Sequence, residues 1–144
     1  MRDIVSDLGP AQMIVPAVLA ADNTPLVVDL AGYDACAISL SLGIGGITFT
    51  GSNKIEFILK HGDLSDGSDQ AAVAQTDVIG VTLTGSGIVR SLTALKAAAD
   101  VQKFGYKGTK RYISLLADFS GTHGTGTPVS ATALRGAPVS GPVA

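Results

Sequence analysis

The chain has 144 residues, a length that suits one domain with a sizeable hydrophobic core. Hydrophobic residues make up 46% and charged residues only 15%, which excludes an intrinsically disordered chain. The formal net charge of −2 gives no general attraction to nucleic acid, and no apolar run is long enough to span a bilayer. The single cysteine excludes an intramolecular disulfide and a multi-cysteine zinc site, and it fits synthesis in a reducing cytoplasm.

The first twenty residues are apolar and are interrupted by Pro10 and Pro16. Asp3 and Asp7 stand where a signal peptide carries positive charge, so we expect no secretion signal. The segment 1–20 is instead predicted to be an extended arm that packs on a neighbouring subunit or on a capsid, because its apolar side chains gain from burial.

The two ends of the chain set the predicted domain boundaries. The last residues contain two prolines and no charge after Arg135, which is typical of an extended tail. We therefore divide the chain into an arm at 1–20, a β domain at 21–136 and a tail at 137–144.

Short stretches that alternate apolar with other residues predict a series of β-strands. The clearest, 35–44, places apolar side chains on one face and small side chains rather than charges on the other. Such a small-residue face is suited to burial against another element or subunit. The predicted strands are 25–30, 35–44, 46–51, 54–60, 78–85, 101–107, 111–120 and 127–136.

Strands of this length, separated by glycine-rich turns, predict an all-β fold. Seven to eight of them at this spacing indicate a β-sandwich, jelly-roll-like or Ig-like, or a barrel. One segment differs, because 91–100 is rich in alanine and leucine and predicts a short helix or an irregular crossover.

The stretch "GDLSDGSDQ" at 62–70 is the segment that most resembles a chemical site. If Gly67 took the sixth position of a calcium-binding EF-hand loop, glycine, leucine and valine would fill positions that need oxygen ligands, so that template fails. A looser metal site at Asp63, Asp66 and Asp69 is the alternative. We favour a hairpin connection, since Asp-Gly is a strong turn dipeptide and aspartate side chains satisfy local backbone donors.

The remaining reactive residue types give no indication of catalysis. Cys36 falls on the apolar face of its strand, so we interpret it as a core residue. His61 ends a strand and His123 lies in a glycine-rich loop that we expect to be flexible, and neither has a partner nearby in sequence. No catalytic or nucleotide-binding motif is present. We therefore predict that the chain is not an enzyme and has no catalytic residues, metal or cofactor.

Charge is divided unevenly along the chain. Residues 1–81 contain three basic and ten acidic residues, whereas 82–144 contain seven basic and two acidic residues, so the two parts carry −7 and +5. These parts either pair within one subunit or meet between neighbouring subunits of a ring.

Three stretches together resemble a known group of proteins: "DLAGYDACAISLSLG", "KIEFILKHGDLSDGSD" and "FGYKGTKRYISLLADFSGTHGTGTPVSATALRGAP". The chain is similar to small proteins encoded among the head genes of tailed bacteriophages, prophages and gene transfer agents. The similarity covers roughly 25–140 and centres on Gly105 to Tyr112, where the two glycines at 105 and 108 permit a tight bend between anchoring tyrosines.

This resemblance implies a role in a virion head, as a decoration protein or as the base of a head spike or fibre. The implied partners are further copies of the chain and the major capsid protein or another head protein, without nucleic acid or membrane. A head–tail connector or tail component is the alternative within this class. A carbohydrate-binding β-sandwich is the alternative outside it, although a chain without tryptophan offers few aromatic platforms.

Overall fold

A computed structural model describes residues 3–140, and it has the predicted all-β fold. Its strands form two antiparallel sheets of five. In chain order the ten strands are β1 (Gly9–Leu19), β2 (Val28–Asp29), β3 (Tyr33–Leu42), β4 (Lys54–Gly62), β5 (Ala71–Ala72), β6 (Val78–Ile79), β7 (Ile88–Leu92), β8 (Asp100–Tyr106), β9 (Tyr112–Ser120) and β10 (Thr127–Pro138).

The first sheet, sheet A, has the order β1-β10-β3-β8-β6. The second, sheet B, has the order β2-β9-β4-β5, and β7 also pairs with β4. Both sheets turn their apolar side chains toward one cluster of buried residues. Ile38 and Leu40 of β3 and Phe57 and Leu59 of β4 lie at its centre, where they are inaccessible to solvent.

Five of the eight predicted strands are correct over most of their length, namely those that correspond to β3, β4, β8, β9 and β10. The apolar positions of β3 and β4 are buried one after the other. The prediction for β3 extends too far, however, since β3 ends at Leu42 and Ile44 is exposed.

Three other strand predictions are too long or wrong. The predicted strands 25–30 and 78–85 shorten to the two-residue strands β2 and β6, and β6 ends where Gly80 adopts a positive φ of 78°. The segment 46–51 is not a strand, although Phe49 is buried. The backbone of Gly46 lies so close to that of Gly126 that a side chain at Gly46 would collide with it. The loop is therefore held by close backbone contact and by a turn from Thr50 to Asn53 rather than by a ladder.

The expectation that the first twenty residues lie outside the β domain is wrong for residues 9–19. They form β1, which pairs with β10 along its whole length. Met13 and Ile14 are both part of the core. The alternation is hidden in the sequence because the register shifts twice, between Gln12 and Ile14 and between Ile14 and Ala17.

The predicted tail at 137–144 is only partly described. Ala137 and Pro138 end β10, and residues 141–144 lie outside the described part of the chain. The division at residue 136 stays a prediction.

The expected helix over 91–100 is absent, and its alternative, an irregular crossover, is correct. Residues 91–92 belong to β7, and β8 begins at Asp100. The carbonyl groups that a helix would pair internally have other partners. Lys96 O accepts a hydrogen bond from Gly45 N at 3.1 Å, and Ala98 O accepts one from the buried Lys96 ammonium at 2.8 Å.

Helices are short throughout residues 3–140, with 3-10 turns at Val5–Asp7 and Gln75–Asp77. None of this part of the chain forms a helix that is long and apolar enough to cross a membrane.

Candidate functional site

The outer face of sheet A, directed away from the core, is covered by small polar side chains. In the registers of β3 and β10, Ser41 lies opposite Ser130, and Ser39 lies opposite Thr132. These four side chains are half-buried and make no hydrogen bond within the described residues. We call them the hydroxyl quartet. Four hydroxyl groups, each able to donate and to accept a hydrogen bond, thus lie side by side on β3 and β10.

Exposed apolar side chains flank the hydroxyl quartet on the neighbouring strands. Val18 and Pro128 lie opposite each other at one end, and Val101 of β8 lies opposite Ser41. Lys103 is the cationic side chain of this face, and it lies opposite Ser39. Its low charge is one property that this face shares with the central part of protein–protein interfaces.

A second feature is a broad, open depression of about 860 Å³ at the end of sheet A where β3 begins and β8 ends. The outward positions Ala35, Ala37, Gly105 and Ile79 line it, and the loops at 30–34 and 107–111 border it. The loop at 107–111 belongs to the sequence "GYKGTKRY", so this segment forms one side of the depression.

Two of the four cations that line the depression are paired with carboxylates. Arg111 donates two hydrogen bonds to Asp29, from Nε at 2.8 Å and from Nη2 at 2.7 Å. These bonds, more than any other contact, lower the pKa of Asp29 to about 2 and raise that of Arg111. Lys110 pairs with Asp63, whose hydrogen bond raises the pKa of the lysine. The acidic part of the sequence thus pairs with the basic part within one subunit at these two places.

The other two cations of the depression, Lys103 and Lys107, are exposed and have no carboxylate partner within residues 3–140. Asp34 is the one acidic side chain among the lining residues. The depression therefore combines an apolar floor with a small excess of positive charge.

Tyr106 anchors the loop that borders the depression, as the sequence predicted. Its hydroxyl accepts a hydrogen bond from Lys110 N at 3.1 Å and lies 2.9 Å from His61 Nδ1. Its ring occupies the space that a side chain at Gly108 would need. Desolvation raises the pKa of the Tyr106 hydroxyl to about 12, so it stays neutral.

The aspartate-rich stretch at 62–70 forms a hairpin connection between β4 and β5, as predicted. Asp69 accepts hydrogen bonds from the backbone N–H groups of Asp63 at 2.7 Å and Leu64 at 3.1 Å, and the bond from Asp63 contributes most to lowering its pKa. Asp66 accepts from Ser68 N at 3.0 Å, which likewise lowers its pKa. These carboxylates are oriented toward their own loop, where they stabilise the turn.

Metal-ligating residue types are scattered over the molecule. Among residues 3–140 there is no group of three or more His, Cys, Asp or Glu side chains arranged to hold a metal ion. The absence of a metal site at 63–69 stays a prediction.

Cys36 is buried in the core, as predicted, and desolvation raises the pKa of its thiol to about 11. A thiol in this state is a poor nucleophile.

His123 is buried, which corrects the expectation that its loop is flexible. Its Nε2 donates to Ser120 O at 2.9 Å, and its ring packs edge-on against Phe119, with a 4.7 Å separation of ring centroids. The glycines around it had suggested mobility, but a buried ring with a backbone partner fixes the loop.

All seven aromatic side chains of the chain are buried or half-buried. Carbohydrate-binding surfaces commonly present exposed aromatic rings on which sugars stack, and here no such platform exists.

The comparisons with known proteins do not assign the chain to a family: no protein-family model matches it, and no curated protein matches it.

The sequence indicated only part of these surfaces. It predicted the small-residue face of β3 from the alternation at 35–44, but not that β10 places Ser130 and Thr132 beside it, since that pairing joins residues about ninety positions apart. The sequence analysis counted Lys103 and Lys107 only toward the charge of the second part of the chain. The neighbouring sequence does not show that Lys110 and Arg111 pair with carboxylates whereas Lys103 and Lys107 do not.

Proposed function

We propose that the chain is a non-enzymatic structural component of a tailed phage or phage-like particle. In this proposal it is a head accessory protein, either a decoration protein or the base of a head spike or fibre, and it attaches to the major capsid protein or another head protein. It acts as a homo-oligomer in the virion, after synthesis in the bacterial cytoplasm. The proposal includes a β-sandwich of jelly-roll-like or Ig-like type, and the packing of both sheets against one core cluster supports a sandwich.

The observation that carries this proposal is the outer face of sheet A. β1, β10, β3 and β8 are each at least seven residues long. At about 4.8 Å between strands and 3.4 Å per residue, they span roughly 500 Å². Two partners that meet across the whole of this face, the depression at its end included, bury roughly 1,000 Å², which is the lower bound for a specific interface. The hydroxyl quartet supplies hydrogen bonds, and the flanking valines and proline supply apolar contact.

The alternatives have less support. A carbohydrate-binding module fits poorly with the lack of exposed aromatic rings. A head–tail connector or tail component would use the same kind of surface, and only its position in the particle distinguishes it from a head accessory protein. We prefer the head because the resemblance of "GYKGTKRY" and the adjoining stretches is to proteins encoded among head genes.

The test is co-sedimentation of the purified protein with capsids that lack it, assembled from the capsid and portal genes that the proposal expects near its coding sequence. We expect the wild-type protein to sediment with these capsids. The variant Ser41→Arg/Ser130→Arg places two charges at the centre of the outer face, and we expect it to stay in the supernatant while retaining the wild-type circular dichroism spectrum.

The matched control is Thr82→Arg/Ser86→Arg, which adds the same charge at exposed loop positions between β6 and β7. This control should bind capsids as the wild type does. Failure of the wild type to bind, or equal loss in both variants, contradicts attachment through this face. Absence of a capsid gene and a portal gene near the coding sequence would contradict the whole class.

A further inference from the structure

The N-terminal turn that precedes β1 exposes an apolar tip with acidic flanks. Ile4 is 62% exposed and Val5 is 78% exposed, with Asp3 and Asp7 on either side. The turn has a defined shape, because Asp3 accepts hydrogen bonds from Val5 N at 2.9 Å and from the Ser6 hydroxyl at 2.6 Å. We call residues 3–7 the acidic tip. It exposes two branched apolar side chains to water, and their burial against another surface is energetically favourable.

The depression at the end of sheet A has the complementary character. Ile79 and Val139 are exposed in its lining, where Ala35 and Ala37 provide further apolar floor. The unpaired cations lie there too, at Lys103 and Lys107. The acidic tip has apolar side chains between two carboxylates, and the depression has an apolar floor beside two ammonium groups. The two surfaces are therefore complementary in both polarity and charge.

These two features lie at the same end of sheet A, since Gly136, beside the tip, pairs with Ala35 in the lining of the depression. The acidic tip leads into β1, an edge strand of sheet A, and packs beside Gly136 of β10. The depression lies over β3, β8 and the opposite edge strand, β6. When one patch fits a different patch of a second copy, the copies associate head to tail, and the association closes into a ring when the rotation between copies permits.

Pairing between strand edges is a poorer route to association. β1 has Pro10 and Pro16, and its two register shifts bend the strand away from a regular ladder. Met13 O already accepts a hydrogen bond from Leu26 N, which covers part of its free edge. The opposite edge strand, β6, is only two residues long.

We propose that the acidic tip of one copy docks into the depression of a second copy of this chain. Ile4 and Val5 cover the apolar floor, and Asp3 and Asp7 approach Lys103 and Lys107. The proposed association borders the hydroxyl quartet at Lys103, which lies opposite Ser39. It goes beyond the proposed function, because it needs no capsid and is testable with the isolated protein.

The experiment is analytical ultracentrifugation of the full chain over a range of concentrations. We expect wild-type self-association that weakens as sodium chloride rises from about 0.05 M to about 0.5 M, because the charges involved are exposed. The tip variant Ile4→Ser/Val5→Ser and the depression variant Lys103→Glu/Lys107→Glu should each weaken association at least about tenfold. All four side chains are exposed, so both variants should keep the wild-type circular dichroism spectrum.

Mixing the two variants gives the most specific result. The tip variant keeps an intact depression and the depression variant keeps an intact tip, so together they should form a 1:1 complex that grows no further. The control Leu95→Ser removes a side chain that is exposed outside both surfaces, and it should associate as the wild type does.

A monomeric wild type, association unchanged in either variant, or a mixture without a 1:1 complex overturns the proposal. So does equal weakening by Leu95→Ser. None of these results bears on co-sedimentation with capsids, so failure here and failure of the proposed function are distinguishable.

Discussion

Tyr106 shows how one side chain connects the core to the candidate site. Its ring is buried beneath the loop between β8 and β9, and its hydroxyl receives the Lys110 backbone N–H. This loop borders the depression, so Tyr106 helps to fix the shape of the depression. The same hydroxyl also contacts His61.

Tyr106→Phe should lower the free energy of unfolding by about 1–2 kcal/mol, because it leaves the buried partners of the hydroxyl unsatisfied. Urea denaturation measures this. The control is Tyr112→Phe, whose hydroxyl has no hydrogen bond within the described residues; its effect should stay within about 0.5 kcal/mol. Hydrogen exchange at the Lys110 amide should accelerate in Tyr106→Phe alone. Equal effects of the two substitutions would contradict the role assigned to Tyr106.

The Asp29–Arg111 pair makes stability depend on pH at the acidic end. The folded-state pKa of Asp29 lies near 2, below the ordinary value of 3.8, so the pair stabilises the fold above about pH 4 and this contribution disappears as pH falls toward 2. Arg111→Gln should therefore lower the urea midpoint at pH 7, and its difference from the wild type should shrink between pH 4 and pH 2.

Lys107→Gln is the control for this pH dependence, since it removes a cation that has no carboxylate partner among residues 3–140. Its small effect should not follow the titration of Asp29. A difference between Arg111→Gln and the wild type that stays constant from pH 7 to pH 2 would show that the ion pair does not contribute.

At the scale of elements, β1 is the strand that the sequence pattern failed to predict. Its apolar residues follow no simple alternation, because two extra residues enter the ladder with β10. Met13 nevertheless contributes a fully buried side chain, whereas Val15 two positions later is exposed. A period-two pattern detects strands such as β3 and β4, whose ladders with β10 and β9 are regular, and it fails at bulges.

Met13→Ala should cost about 2–5 kcal/mol of stability, as expected for a large side chain removed from a packed core. Val15→Ala, at an exposed position of the same strand, should cost less than about 0.5 kcal/mol. Deletion of 1–8 should leave a cooperative unfolding transition, while deletion of 1–19 should abolish it, because sheet A then loses an edge strand and part of the core. If the protein folds stably without residues 1–19, this segment is an arm and not a necessary part of the core.

Local patterns also fail where the partners of an element are distant. The predicted helix at 91–100 has suitable residues, but Lys96 is buried and bonded to Ala98 O and Asp100. Desolvation opposes ionisation of Asp100, and the bonds and charges of Lys96 and Arg90 outweigh it and lower its pKa. By contrast, the turn at 62–70 was predictable, since the hydrogen bonds from its backbone to Asp66 and Asp69 join residues within six positions of each other.

At the scale of the whole molecule, two surfaces on sheet A have different characters. The hydroxyl quartet is neutral and lies over the central strands, whereas the depression is apolar and basic and lies toward one end. A head accessory protein needs one surface for the capsid and another for its own copies, and the proposals assign these roles to the two surfaces.

The central claim is attachment to a particle head, and electron microscopy of particles tests it most directly. We would compare particles from cells that produce this protein with particles from cells in which its gene is deleted. The account predicts density on the outer surface of the head that disappears upon deletion, with sheet A turned toward the capsid shell. Density at the neck or tail would support the connector alternative instead, and identical particles with and without the gene would contradict a structural role in the virion.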